Sequence, residues 1–223
     1  MLYIVPTPIG NLKDITLRAL EVLRDSDRIL AEDTRVTINL LKHYSIEKQV
    51  ISYHDHNEHR ILGNVIDMLK NGMTLALVSD AGTPLISDPG FLLVRECFRN
   101  GIKVIPLPGA SAITAALSAS GLPTDKFHFE GFLPHKKGRS KRWDFLKTYP
   151  HTIVFYESPH RLKKLIGEIV ENLGEDTLIS VAKEISKIYE EFRLATCKNV
   201  FESMDEESKV KGEYVVMAYR SEQ

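Results

Sequence analysis

Three stretches of this chain hold the side chains and glycines that chemistry needs. The first is Val78-Ser79-Asp80-Ala81-Gly82-Thr83-Pro84-Leu85-Ile86-Ser87-Asp88-Pro89-Gly90. It pairs a carboxylate with small residues that let a ligand approach the backbone, and it is longer than the ~2–6 residues a strand-to-helix connection needs. Asp80, with small residues around it, suits a neutral or cationic ligand better than a polyphosphate. S-adenosylmethionine, with its sulfonium, ammonium and single carboxylate, meets that description. The second stretch, Tyr156-Glu157-Ser158-Pro159-His160-Arg161, combines a carboxylate, an imidazole and a guanidinium, parts suited to proton transfer and to gripping a phosphate. The third, His135-Lys136-Lys137-Gly138-Arg139-Ser140-Lys141-Arg142-Trp143, is a dense basic run with an adjacent aromatic. Lysine and arginine neutralise phosphates, and an aromatic ring stacks on an unpaired base; a solvated loop is the bland alternative.

The elements that must position these residues alternate. Apolar runs at Leu2–Val5, Arg28–Ala31, Val50–Tyr53, Met73–Val78 and Lys103–Pro106 read as strands. The segments between them read as amphipathic helices, with Asp14 or Thr16, Asn57 and Asp88 as candidate N-caps. Such alternation implies a mainly parallel sheet with right-handed crossovers. Loops after Val5, Val78 and Ile105 are rich in glycine, proline and small residues. In a parallel sheet they share the carboxyl rim, where ligands bind, so they are expected to form one pocket. Pro108-Gly109-Ala110-Ser111 adds backbone N–H groups at a helix start.

Beyond Ser120–Asp125, which reads as a linker, the pattern changes. Phe127, Phe129 and Phe132 mark a strand. Thr152–Tyr156 and Leu178–Ala182 mark two more, the latter ending in Lys183-Glu184, and segments near Ile188–Ala195 and Tyr214–Tyr219 alternate like antiparallel strands. The expectation is an α/β protein of two domains, residues 1–119 with a mainly parallel sheet and residues 120–223 with a mixed sheet, and a cofactor cleft between them.

Composition narrows the classes. The 223 residues are 43% hydrophobic and 26% charged with a net charge of -1, which argues against disorder and makes any nucleic-acid affinity local. The two cysteines, Cys97 and Cys197, lack metal-ligand spacing and fit free thiols in a cytoplasmic protein. No signal peptide or membrane span is expected. The dinucleotide fingerprint and the P-loop are missing. A rival chemistry is a zinc hydrolase on His54, His56 and His59, whose spacing approaches a metallo-β-lactamase motif. Glu58 stands where that motif has aspartate, and the cluster opens directly into a helix, so a metal is not expected.

In order along the chain, Thr7-Pro8-Ile9-Gly10-Asn11-Leu12, Ala31-Glu32-Asp33-Thr34-Arg35, Ser79 to Gly90, Pro106 to Ala112, Glu130-Gly131-Phe132-Leu133-Pro134 and Tyr156 to Arg161 resemble the bacterial small-subunit ribosomal RNA (cytidine-2'-O)-methyltransferases of the tetrapyrrole methylase (class III) superfamily. The resemblance implies two α/β domains, a homodimer, S-adenosylmethionine as cofactor, and a ribosomal RNA substrate in an assembled small subunit. It places cofactor contacts on Pro8, Ile9, Gly10, Asp80, Ala81, Gly82, Thr83, Ser111 and Ala112, with Tyr156 added to that set. For the proton of a ribose hydroxyl the candidates are Glu157 and His160, with Lys183 and Glu184 in reserve. RNA phosphates fall to Arg35, Lys136, Lys137, Arg139, Lys141, Arg142 and Arg161. The departures are Pro6, where a small residue is usual, Lys183-Glu184-Ile185-Ser186, where the motif often begins Arg-Glu, and a shorter C-terminal segment. Methylation of a tetrapyrrole or another small acceptor by the same fold, and a non-catalytic RNA-binding module, are the alternatives.

Overall fold

A computed structural model describes residues 1–204 and 212–220, and the chain divides into two compact units, Met1–Ser111 and Ala112–Gln223. In the first, strands β1 (Leu2–Ile4), β2 (Arg28–Ala31), β3 (Val50–Ser52), β4 (Leu75–Val78) and β5 (Val104–Pro106) form one sheet in the order β3-β2-β4-β1-β5. Every pairing is parallel. Side chains alternate across a strand, and β4 shows the result. Leu75 and Leu77 pack with Val65, Ile66 and Leu69 of α3 (Glu58–Lys70) and Leu93 and Cys97 of α4 (Phe91–Arg99). Ala76 and Val78 face the other way, against Ala19, Leu20 and Leu23 of α1 (Leu17–Asp25) and Leu41 of α2 (Thr34–His43). A sheet covered on both faces needs strands that are apolar throughout, which is why these short runs stand out in the sequence.

Local chemistry sets the helix starts. Thr16, of the two candidates, caps α1 by accepting from the Ala19 N–H. Asp33 caps α2 by accepting from the Arg35 N–H. Asn57 occupies the cap position of α3 without capping it: its side chain folds back, accepting from the His54 N–H and donating to the Ser52 carbonyl. Asp88 is not the cap of α4 either. Gly90 takes that position at φ 130°, and a Cβ there would lie 2.8 Å from Leu77 Cδ2; only glycine meets both demands.

In the second unit α5 (Ala112–Ala119) is followed by β6 (Phe127–Gly131), α6 (Arg139–Leu146), β7 (Thr152–Glu157), α7 (Leu162–Leu173), β8 (Leu178–Lys183), β9 (Glu191–Thr196), α8 (Cys197–Glu202) and β10 (Tyr214–Tyr219). The sheet order is β6-β7-β10-β8-β9. β6 runs parallel to β7, and the other pairings are antiparallel, so the sheet is mixed as expected. One face packs against α6, α7 and α8 through Trp143, Leu146, Leu165, Ile166, Ile169 and Val200. The other holds Ile113, Ala116 and Leu117 of α5 against Val154, Val215 and Met217. Phe132 lies past the end of β6, beyond Gly131 at φ 68°, rather than in the strand. Cys97 and Cys197 are free and buried, and burial pushes the Cys97 thiol up to about 11. Among the described residues no helix is long and apolar enough to cross a membrane.

Candidate functional site

The three loops at the carboxyl rim of the first sheet are joined to one another. Thr7 and Gly82 exchange both backbone hydrogen bonds at 2.9 Å. The Thr7 hydroxyl donates to the Ser79 carbonyl at 3.1 Å, and the Thr83 hydroxyl to the Ala110 carbonyl at 3.0 Å. Gly109 lies so close to Pro6 that a Cβ would come within 2.6 Å of the ring, and Gly82 faces Ile9. A cleft of about 330 Å³ opens beside this junction, lined among others by Thr7, Pro8, Gly10, Ser79 and Asp80. Pro8, Ile9, Gly10, Asp80, Ala81, Gly82 and Thr83 are therefore brought to one rim, and Ser111-Ala112 follows directly on Ala110 at the start of α5.

The field at this rim is negative. Burial and the neighbouring Asp80 and Asp55 carboxylates push Asp88 up to about 6, against a hydrogen bond from Ser79 that favours its ionised form. Burial, then Asp88 and Asp80, raise Glu32 in the same way. Asp80 itself accepts from the Asp33 N–H at 3.0 Å. Carboxylates that resist ionisation because of one another favour a cation in their midst. Arg35 does not neutralise them: its guanidinium forks onto Asp33, with Nε at 3.0 Å from Oδ1 and Nη2 at 2.5 Å from Oδ2. That pairing holds Asp33 down at about 2.

In the second unit the Tyr156–Arg161 motif spans the end of β7 and a short 3-10 turn, Pro159–Arg161. The Glu157 side chain is fully buried. Its Oε1 forms an ion pair with Arg161 Nη2 at 2.6 Å and accepts from the Ser158 N–H at 2.8 Å, while Oε2 has no hydrogen-bond partner among the described residues. Arg161 donates onward to the Leu133 carbonyl. His160 is exposed, and with Arg161 and Ser158 it lines a second cavity of about 590 Å³ whose other wall is the Phe132–His135 loop. Tyr156 lies between Phe129, edge-on at a centroid distance of 5.0 Å, and Phe132, tilted at 5.6 Å.

The structure splits the basic run. Arg139, expected on RNA, is buried: Nε lies 2.9 Å from both Glu168 oxygens, and Nη1 donates to the Leu133 and Pro134 carbonyls. Trp143 Nε1 donates to the same carboxylate at 3.2 Å. Arg142 forks onto Glu130, which is buried beside His128, and stacks over Phe145. Both guanidiniums hold α6 to its unit. Lys136, Lys137 and Lys141 are exposed and, among the described residues, take part in no ion pair. Glu184 is also committed. Its Oε1 accepts from Lys187 and from the Glu213 N–H, both at 2.9 Å, and Lys187 holds its carboxyl below the usual range. Lys183 ends β8 beside it, in register with Tyr214 and Glu191. Among the described residues no group of three or more His, Cys, Asp or Glu side chains, His54, His56 and His59 included, is arranged to hold a metal ion.

Two α/β units, a small-residue rim and a negative cleft define a class, and the chain belongs to it: the family of Tetrapyrrole (Corrin/Porphyrin) Methylases matches residues 1–200. Within that family it is 50% identical to ribosomal RNA small subunit methyltransferase I of Escherichia coli O157:H7, over 97% of this chain and 76% of that protein. With the protein of the same name from Halalkalibacterium halodurans it shares 47% identity, over 97% of this chain and 74% of the other. Solved structures share the fold at low identity. Diphthine synthase superposes with a TM-score of 0.73 at 15% identity, covering 100% of this chain and 91% of that one. Uroporphyrin-III C-methyl transferase from Thermus thermophilus, complexed with S-adenyl homocysteine, gives 0.65 at 18%, covering 98% and 96%.

Proposed function

We propose that this protein is an S-adenosylmethionine-dependent methyltransferase acting on small-subunit ribosomal RNA, with the 2'-hydroxyl of a cytidine ribose as acceptor. The observation that carries this reading is the identity, near half over almost the whole chain, to proteins named ribosomal RNA small subunit methyltransferase I. The first unit fits the cofactor on its own evidence. Gly109 closes the rim where a side chain would not fit, and the Glu32, Asp80 and Asp88 carboxylates favour a cation. Pro8, Ile9, Gly10, Asp80 to Thr83 and Ser111-Ala112 would hold it, joined by Tyr156.

When bound, S-adenosylmethionine supplies a methyl on an already electrophilic sulfonium, so the protein's main work is positioning. The residues of the second unit act on the acceptor. His160, exposed at the cavity of the Phe132–His135 loop, takes the hydroxyl proton. Glu157, buried and bonded to Arg161, positions that guanidinium rather than touching substrate. Lys136, Lys137 and Lys141 attract phosphates. The substrate is the assembled subunit, and the enzyme works as a homodimer. Phe91 and Phe98, a full two turns apart on one face of α4 and 64% and 72% exposed, support a second copy.

The test uses purified small subunits lacking the modification and cofactor labelled on the methyl. Digestion of the RNA to nucleosides should return label in 2'-O-methylcytidine. Cofactor binding with no label in RNA would overturn the assignment of substrate.

A further inference from the structure

A ribose hydroxyl is the same on every nucleotide, so an enzyme that methylates one must recognise something else. The Phe132–Pro134 loop is built to present one aromatic ring. Two Arg–Glu pairs fasten it from within the unit: Arg139, held by Glu168, donates to the Leu133 and Pro134 carbonyls at 3.3 and 2.8 Å, and Arg161, held by Glu157, donates to the Leu133 carbonyl at 3.4 Å. Leu133 is 2% exposed, whereas Phe132, next to it, is 55% exposed. The outward ring rests on Tyr156, which rests on Phe129. A large apolar side chain held outward at an anchored turn is poorly explained by core packing. The chain leaving this loop is basic: His135 lines the same cavity, and Lys136, Lys137 and Lys141, which follow it in sequence, are all exposed. The adjoining cavity of about 590 Å³, which His160 also lines, lies within the ~300–1,000 Å³ of small-ligand pockets.

We propose that Phe132 is the stacking platform for the unpaired base of the target nucleotide, and that the cavity beside it takes that nucleotide's sugar and phosphate. Sequence-selective proteins read RNA mainly where bases are unstacked and can lie on an aromatic face. The platform supplies the selection that the reacting hydroxyl lacks. The inference rests on the rRNA methyltransferase reading and deepens it at the second unit.

The experiment compares Phe132→Leu, which keeps an apolar side chain against Tyr156, with Phe132→Trp, which keeps an aromatic face. Methyl transfer to unmodified small subunits is measured alongside cofactor affinity and thermal midpoint. For Phe132→Leu, kcat/KM should fall about 5- to 100-fold, with cofactor affinity and midpoint unchanged and the share of label in cytidine reduced. Phe132→Trp should stay within about 2-fold of the parent, as stacking tolerates a change of ring. Parental kcat/KM for the leucine variant overturns the platform, and so does a tryptophan variant that falls as far as leucine, since the ring face would then not be what is used. A parent protein that labels no ribosomal RNA overturns the functional reading itself, an outcome distinct from either.

Discussion

Asp88 is pushed up to about 6 because burial and two neighbouring carboxylates oppose its ionisation. Its ordinary value is 3.8, so well below that pH the side chain is protonated in both folded and unfolded chains and costs nothing. As pH rises towards 6 the unfolded chain ionises first, and stability is lost until the folded form ionises too. Asp88→Asn removes this loss. The variant's urea midpoint should therefore gain on the parent's between pH 5 and pH 7, and a constant difference over that interval would exclude the effect. That Asp80 would stand at the strand-end rim among small residues was legible in the sequence, from a carboxylate among glycines and prolines. The crowding of Glu32 and Asp55 onto Asp80 and Asp88 was not, because the first two follow β2 and β3 while the last two share the loop after β4, and only the sheet order brings the three strand ends together. Glu157 misleads in the opposite sense. Beside histidine and arginine it reads as a base, yet the β7 pleat turns it inward, and its chemistry becomes that of an anchor.

For α6 the useful unit is the helix rather than the charge run. Arg139, Arg142, Trp143 and Leu146 are spaced i, i+3, i+4, i+7, the inward stripe of an amphipathic helix, and all but Arg142 are buried. The helical period was thus present in the sequence, hidden by the expectation that arginine faces water. The two groups should separate in experiment. Arg139→Ala leaves Glu168 and two carbonyls without their donor and should cost about 3 kcal/mol in urea unfolding. Replacing Lys136, Lys137 and Lys141 together by alanine should leave stability within ~0.5 kcal/mol. The same triple variant should lower the slope of log affinity for ribosomal RNA against log salt by about 2. An unchanged slope removes these lysines from the interface. Elsewhere the strands of the first sheet were legible almost to the residue, since each apolar run is stopped by glycine, proline or a polar turn. The six-residue α8 is too short to show a period and was not foreseen.

At the scale of the molecule, sedimentation should return twice the chain mass of 25.3 kDa, and Phe91→Asp with Phe98→Asp should return the single mass; a parent already at the single mass rules out the homodimer. The order β3-β2-β4-β1-β5 has a consequence for how the chain is made. β1 is synthesised first, but both its neighbours come later: Leu2 pairs with Leu75 on one side and Val104 on the other. During synthesis β2 and β3 have each other, whereas β1 has no partner until β4 leaves the ribosome. At ~5–20 residues per second that takes roughly 4–15 s. The emergence of Leu75–Val78 is the event that lets the sheet close, since β4 accepts β1 on one edge and β2 on the other. Until then the first strand, Leu2-Tyr3-Ile4, is the part of the nascent chain most in need of protection from other chains.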